Sequence, residues 1–495
     1  MQSKAGAEDK KLQSFASAQA ANRACPYALK CGGCDYSGLP YTVQLENKQK
    51  RMEELLGAIL KKDGVTLSPI VGADNPFHYR NKVHSVFVSE RKKTVQRGIY
   101  EKNSHRVIDI KECRIENEKA NEIMEEIRRL IPSFKIQMYD EDRERGLLRH
   151  VLIRVASKGI MVILVTSTSM FPGKKNFVTA LRRKFPEITT VVQNINNKRT
   201  SMVLGERNEV LYGPGFVVDD RLGLDFRISP DSFYQVNSEQ TVKLYGLVLE
   251  VAGLTGRETV WDLYCGTGTI GMFMASHAKE VLGVELNKNA VTDAKNNARV
   301  NAITNIRFLA QDATDYMKQA RGRGECPDVL CMDPPRSGST KEFIEAAAAL
   351  KIPRIVYVSC GPESLARDLI CFQKRGYKIR RAVPVDMFPQ TEHVETVCLL
   401  SQRKPDTTIE VDLDISELEV SSAETKATYE EIKSYVLKKF GLKVSNLYIA
   451  QVKRECGIVE RINYNLPKTE GNRVPQCPED KRKAIKDAFI HFQMI

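Results

Sequence analysis

Two residues combine a reactive type with a telling placement. Cys360 ends the apolar run Val356-Tyr357-Val358-Ser359 and precedes Gly361-Pro362. A helix starting near Glu363 would aim its positive N-terminal end at this thiol and favour the thiolate, the nucleophilic form. Glu395 opens a second apolar run, Thr396–Leu400, behind the loop Asp386-Met387-Phe388-Pro389. A carboxylate there suits a proton acceptor. The plain alternatives are a small core cysteine and a solvated turn carboxylate. Position tells against the first: Cys360 falls at the C-terminal edge of a strand, where open α/β sheets bind ligands, with Glu395 nearby in the same layer; for Glu395 itself both readings stay open.

A third motif supplies a place for a cofactor. Asp262-Leu263-Tyr264-Cys265-Gly266-Thr267-Gly268-Thr269-Ile270-Gly271 follows a strand and should open a helix, with glycines that let the backbone approach a ligand. About 20 residues on, Glu285 ends Val281-Leu282-Gly283-Val284, where it can accept hydrogen bonds from both hydroxyls of a ribose. A dinucleotide and S-adenosylmethionine (SAM) both fit this pattern. The turn lacks the further helix-facing glycine of a pyrophosphate site in the usual register, which favours SAM. Asp333 ends Cys331-Met332 and is followed by Pro334-Pro335, a stiff extended exit that could hold a planar substrate beside a methyl donor.

These residues need a sheet to hold them. From about residue 230, Val260–Leu263, Val281–Glu285, Asp328–Met332, Ile355–Val358 and Val397–Leu400 read as strands alternating with helices, which predicts a mostly parallel α/β sheet. Upstream, the spacing predicts a helix over Tyr41–Leu60, short strands over 66–112, a charged helix over 115–130 and β-rich runs over 147–228, with a basic helix near 174–184. Residues 404–426, with seven acids and two lysines, read as a linker. The tail, 427–495, reads as a small α/β extension: an amphipathic helix Tyr429–Phe440, a strand-like Leu447–Val452 and a terminal helix. The expected division is 1–66, a leader with a cysteine segment; 67–228, a central β-rich domain; 229–403, the cofactor domain; then the linker and tail.

Composition narrows the partner. The 495 residues are 42% apolar and 28% charged, ordinary for a globular protein. No stretch approaches the ~18–20 apolar residues that cross a bilayer, and the first 25 residues carry no apolar signal core, so a cytoplasmic protein without a membrane partner is expected. The net charge of +13 is uneven: residues 1–220 hold 37 Lys+Arg against 26 Asp+Glu, the rest 38 against 36. The basic half is the one expected to meet an anionic partner such as nucleic acid.

Together, the Asp262–Gly271 turn, Asp333-Pro334-Pro335-Arg336, Ser359-Cys360, Asp386-Met387-Phe388-Pro389 and His393-Val394-Glu395 closely resemble the RumA/TrmA family of RNA uracil-5-methyltransferases. Ser229-Pro230-Asp231-Ser232-Phe233-Tyr234-Gln235-Val236-Asn237 is similar to a further signature of that family, and the resemblance spans about residues 25–403. It implies a Rossmann-like class I SAM methyltransferase domain beside a β-rich RNA-binding domain. It implies SAM contacts at Gln235, Tyr264, Thr269, Glu285, Asp312 and Asp333, with Asp312 at the adenine edge. It makes Cys360 the nucleophile and Glu395 the proton acceptor. Two positions depart from the pattern. Thr269 stands where many members have Asn, and Gly361 follows the cysteine where Asn is usual.

Cys25, Cys31 and Cys34 lie within ten residues around Gly32 and Gly33, with Cys113 downstream. Four thiolates suit zinc or a [4Fe–4S] cluster alike. Iron–sulfur members of the family show this pattern, so the resemblance implies a [4Fe–4S] cluster. It also tips the expected target toward large-subunit (23S) rRNA, with a tRNA T-loop uridine as the alternative, although Cys25 comes too early to leave room for the N-terminal TRAM barrel of many such members. Arg80, Lys82, Arg91, Lys92, Lys93, Arg97, Arg143, Arg145, Arg149 and Arg154 are expected to form an RNA-facing wall, by resemblance and by charge. A non-catalytic RNA-binding assembly factor is the rival, and intact Cys360, Glu395 and Asp333 argue against it. Nothing in the residues speaks to oligomeric state.

Overall fold

The computed structural model describes residues 25–89, 94–101, 104–200, 202–221, 223–402, 429–456 and 477–492. The expected leader, the 404–426 linker and Arg91, Lys92 and Lys93 lie outside them. The chain divides into two compact units, Met1–Asp406 and Thr407–Ile495.

The first unit is built on two seven-stranded sheets. One comprises β1 (Lys82–Ser89), β2 (Val95–Tyr100), β3 (Val107–Asp109), β4 (Leu148–Ala156), β5 (Gly159–Thr166), β6 (Ile188–Ile195) and β7 (Arg207–Tyr212), in the order β3-β2-β1-β4-β5-β6-β7. Neighbours are antiparallel except β5 and β6, whose parallel pairing needs a crossover helix, Lys174–Lys184. Helix Glu118–Ser133 packs on the same face, and together they bury Phe177, Leu181, Ile123 and Ile127 against Val151, Ile153, Val162 and Leu164. A short ribbon, β8 (Val217–Asp219) and β9 (Phe226–Ile228), follows.

The second sheet comprises β10 (Thr259–Leu263), β11 (Glu280–Glu285), β12 (Ile306–Ala310), β13 (Val329–Met332), β14 (Arg354–Ser359), β15 (Lys378–Val385) and β16 (Glu395–Ser401). Its order is β12-β11-β10-β13-β14-β16-β15. The first five are parallel and β16 runs antiparallel between β14 and β15. Strands such as β13, Val-Leu-Cys-Met, are apolar without alternation because helices cover both faces of a parallel sheet. This is a Rossmann-like α/β sheet, as the alternating strands and helices predict. The chain order reverses between β10 and β13, which opens a crevice at their C-terminal ends. One hydrophobic cluster runs from the central sheet (Leu152, Met161, Ile163, Val192) through Phe226 and Leu244 to Val260, Cys331 and Val356, so both sheets share a core.

Helix Tyr41–Lys61 belongs to the far face of the second sheet. Its Met52, Leu56, Ile59 and Leu60 meet Leu365, Leu369 and Phe372 of helix Pro362–Gln373. Its polar side is also buried. Lys48 is fully buried, 2.5 Å from the equally buried Asp386, and also donates to the Phe388 carbonyl at 3.2 Å. Tyr41 donates to the other Asp386 oxygen at 2.8 Å. Burial pulls the Lys48 ammonium down and pushes the Asp386 carboxyl up, and their mutual attraction opposes both shifts.

The tail departs from expectation. Leu447–Val452 is not a strand: it lies in helix Asn446–Glu455, and the described residues of the second unit form three helices, with Tyr429–Phe440 and Glu479–His491. Ser445 accepts the Tyr448 N–H, an N-cap bond, and Ile449 and Val452, three apart, bury one helical face against Ile432, Val436, Ile485 and Phe489. A run of β-formers was overridden by its cap and its i, i+3 burial. No described helix is long and apolar enough to cross a membrane.

Lys48→Met leaves a buried carboxylate without its cation and is expected to lower the unfolding free energy by about 3–5 kcal/mol, measured by urea denaturation. The double variant Lys48→Met/Asp386→Leu should regain a large part of that loss. A double variant no more stable than the single one would contradict the pair's structural role.

Candidate active site

The crevice at the C-terminal ends of β10 to β14 is a cavity of about 860 Å³. Gln235, Tyr264, Glu285, Asp312, Asp333, Cys360 and Glu395 all line it. Thr269, the remaining expected contact, does not: it is buried at the start of helix Thr269–Ala275, its hydroxyl 3.3 Å from that of Thr267.

The glycine turn is shaped from below. Buried Asp262 accepts the Gly271 N–H at 2.8 Å, tying the helix start to β10. Gly268 has φ +77°, and a Cβ there would lie 2.6 Å from the Phe308 ring, so both backbone and space demand glycine. Glu285 accepts N–H groups from Gly266 at 3.1 Å and Asn287 at 2.8 Å, one on each carboxylate oxygen. Each oxygen keeps a lone pair for a ribose hydroxyl. Asp312 caps helix Ala313–Arg323 through Oδ1 alone, which accepts from Thr314 and Asp315 N–H.

The loop 229–237 closes the cavity, and residues outside the expected set hold it. Arg154 donates to the carbonyls of Pro230, at 3.2 Å, and Ser232. Asn81 donates to the Gln235 carbonyl at 2.9 Å and the Ser238 hydroxyl at 3.0 Å. Asp293 accepts from the hydroxyls of Ser229, at 3.0 Å, and Ser232. An arginine inside the apolar run Val151-Leu152-Ile153-Arg154-Val155 was the available signal, since a charge at such a position must be internally bonded.

This corrects the expected RNA-facing wall. Arg154, Arg97 and Arg149 are buried and used within the fold. Arg97 donates to the Lys111 carbonyl and Asn121 Oδ1, at 2.7 and 2.8 Å. Arg149 grips Glu141 with two nitrogens and donates to the carbonyls of Asn196 and Lys198. Arg143 and Arg145 remain exposed.

Cys360 follows β14 directly, and Gly361 caps helix Pro362–Gln373, so the helix N-terminus begins beside Cys360. The expected thiolate is nevertheless not the resting form. Burial, then Glu395 and Asp333, push the thiol up to about 11, against the lowering effect of Arg336. Glu395, the first residue of β16, is itself pushed up to about 8, by burial and then by Asp333. Burial alone lifts Asp333 to about 7. The cavity thus concentrates three acids whose charged forms are held back.

The glycine after the cysteine has a steric cause. A Cβ on Gly361 would sit 2.7 Å from both the Arg336 carbonyl oxygen and Ser364 Oγ. Ser364 donates to that carbonyl at 2.8 Å, and Arg367 donates to the Ser337 carbonyl, also at 2.8 Å. One helix therefore begins just past Cys360 and clamps the loop after Asp333.

Cys25, Cys31, Cys34 and Cys113 line one small cavity of their own. Asn121, fixed by Arg97, bonds both the N–H and the carbonyl of Cys113. Burial, and then neighbouring thiols, push Cys34 up to about 12. Among the described residues, no three or more His, Cys, Asp or Glu side chains are gathered closely enough to hold a metal ion.

The sequence profile of the tRNA (uracil-5-)-methyltransferase family matches residues 40–403. An uncharacterized RNA methyltransferase of Halalkalibacterium halodurans is 42% identical over 378 residues, 76% of this chain and 82% of that protein. One of Clostridium acetobutylicum is 41% identical over 383 residues, 76% and 83% respectively. The crystal structure of Pyrococcus abyssi tRNA (uracil-54, C5)-methyltransferase with S-adenosyl-L-homocysteine superposes with a TM-score of 0.62 at 27% identity, covering 74% of this chain and 85% of that one. Matched by the family profile over residues 40–403 and by relatives over most of their length, this chain belongs to the tRNA (uracil-5-)-methyltransferase family and is a SAM-dependent RNA methyltransferase.

Proposed function

We propose that this protein methylates C5 of one uridine in RNA through a covalent bond between Cys360 and C6 of the base. The observation that carries this is the shared cavity of Cys360, Glu395 and Asp333 beside the Glu285–Asp312 cradle. The cradle residues, with Gln235 and Tyr264, suit the nucleoside and amino-acid parts of SAM. Bound there, SAM supplies an electrophilic methyl group on a positively charged sulfur. Thr269 supports the turn from behind.

C5 of uracil is a weak nucleophile. When Cys360 Sγ bonds to C6, the C5–C6 pair of electrons moves toward the C4 carbonyl and C5 becomes enolate-like. C5 then takes the methyl group, and the electrons of the broken S–CH3 bond stay on the sulfur, which would leave as a neutral thioether. Glu395 accepts the C5 proton, the electrons reform the C5–C6 double bond, and the C6–Sγ bond breaks to return the thiolate. A carboxyl raised toward neutrality is the stronger base once ionised, which suits Glu395 to removing a carbon-bound proton. Cys360 must ionise before attack, and positive charge in the cavity, Arg336 included, lowers that cost. Asp333 holds the ring at attack distance. The base must leave its stack to reach this depth.

The target is a uridine of 23S rRNA, on the strength of the cysteine pattern. A tRNA uridine is the second reading, supported by the family's description and by the tRNA enzyme of Pyrococcus abyssi. Mapping 5-methyluridine in both RNAs of a deletion strain separates them. Cys25, Cys31, Cys34 and Cys113, which line one cavity, would hold a [4Fe–4S] cluster once drawn together around it. Cytoplasmic residence accords with a reduced cluster-bearing protein.

Three outcomes test this reading. Cys360→Ala abolishes turnover, whereas Glu395→Gln accumulates an RNA–protein adduct that survives denaturing gels; free release of methylated RNA by either at the wild-type rate would refute the mechanism. Because both Glu395 and Cys360 must lose protons from raised positions, kcat/KM should climb from pH 6.5 to 9, and a flat profile across that range would count against the assignment. Anaerobic purification should yield iron and sulfide, lost on Cys113→Ser; zinc in their place would overturn the cluster.

A further inference from the structure

The segment that leads into Glu395 is held from outside the catalytic sheet, by residues the mechanism above does not use. Gln390 is the centre of that hold. It is buried, and its backbone is left-handed, at φ +71°. A residue other than Gly, Asn or Asp keeps such a backbone only where its surroundings over-determine it. They do so here. Its N–H donates to Gln44 Oε1 at 3.0 Å, Gln44 Nε2 donates back to its side-chain oxygen at 3.1 Å, and its carbonyl accepts the Tyr36 N–H at 3.0 Å. Two residues on, the Glu392 N–H donates to Asp35 Oδ2 at 3.0 Å. Arg51 donates to the Glu392 carbonyl at 3.2 Å and pairs with Glu363, at 2.7 Å, on the first turn behind Cys360.

Asp35 and Tyr36 directly follow Cys34, and Gln390 lines the four-cysteine cavity. The same short loop therefore touches the cysteine centre on one side and the approach to the proton acceptor on the other. Glu395 lies three residues past Glu392 and begins β16. The 390–392 backbone leads into the point at which Glu395 enters the sheet, where Glu395 pairs with Val385 of β15.

We propose that the cysteine segment is a positioning element for proton removal: Asp35, next to Cys34, fixes the 390–392 backbone and thereby the reach of Glu395 into the cavity. The proposal rests on Glu395 being the proton acceptor. Asp35 touches neither substrate nor cofactor, so it acts as a positioning residue. Loss of its bond slows the last step, C5 proton removal and Cys360 release, and spares addition and methyl transfer.

The test uses the full-length protein in single turnover with SAM and substrate RNA, following methyl transfer, gel-stable adduct and free product separately. Asp35→Ala should keep the burst of methyl transfer, accumulate adduct and slow product release by about tenfold or more, as expected when a catalytic group is misplaced by a fraction of an ångström to 1 Å. Asp35→Asn, whose Oδ1 still accepts the Glu392 N–H, should release product at close to the wild-type rate. Amide exchange across residues 388–394 should quicken in Asp35→Ala with the melting temperature unchanged. Release at the wild-type rate by Asp35→Ala, unchanged exchange, or burst, adduct and release falling together would each overturn the proposal. Glu395→Gln is the reference: adduct there but not in Asp35→Ala sinks the positioning role alone, whereas no adduct in Glu395→Gln sinks the proton-acceptor assignment beneath it.

Discussion

A lysine ammonium and an aspartate carboxylate, both out of water, meet at Lys48 and Asp386. Such a pair is a poor way to gain stability, because the two desolvation penalties consume most of the attraction. Its value lies in specification. Asp386 opens the loop between β15 and β16, and its partners Lys48 and Tyr41 stand on a helix more than 300 residues earlier in the chain. Any other register of that loop would leave two charges buried and unpaired. The loop decides where β16 begins, and β16 begins with Glu395. The antiparallel insertion of β16 between β14 and β15 then sets the carboxyl in the same cavity as Cys360.

The chemistry of the cavity follows from what surrounds it rather than from any single reactive group. A helix N-terminus behind Cys360 argues for a thiolate, yet burial and two neighbouring carboxyl groups outweigh it. Glu395 stands in the same predicament through burial and then Asp333, whereas burial alone holds back the charge of Asp333. Under the function proposed above, a cationic methyl donor would lower the cost of each of these charges.

Much of this was legible in the residues. The ends of parallel strands are marked twice, by the apolar run that precedes them and by the glycine or proline that follows, so Asp262, Glu285, Asp333 and Cys360 could be placed with only the sequence. The helices at 41–61 and 174–184 were equally plain from their spacing. What was not legible depends on partners far apart in the chain. Nothing local separates Arg149 and Arg97, which bind carbonyls and carboxyl groups inside the fold, from Arg145, which faces water. Thr269 stood in the right motif, but the turn places its side chain against Thr267 instead of the cavity. The helix at 446–455 carried β-forming residues, and only its capping serine and the burial of one side reveal its true period.

The crowding around Gly361 limits what can stand there. The space that a side chain would need is filled by the Arg336 carbonyl and the Ser364 hydroxyl, which bond to each other. Positions 361 and 364 are therefore coupled to the loop after Asp333. Any residue with a side chain at 361 demands a change at 364 or a displaced loop, so this glycine is a commitment made by its neighbours.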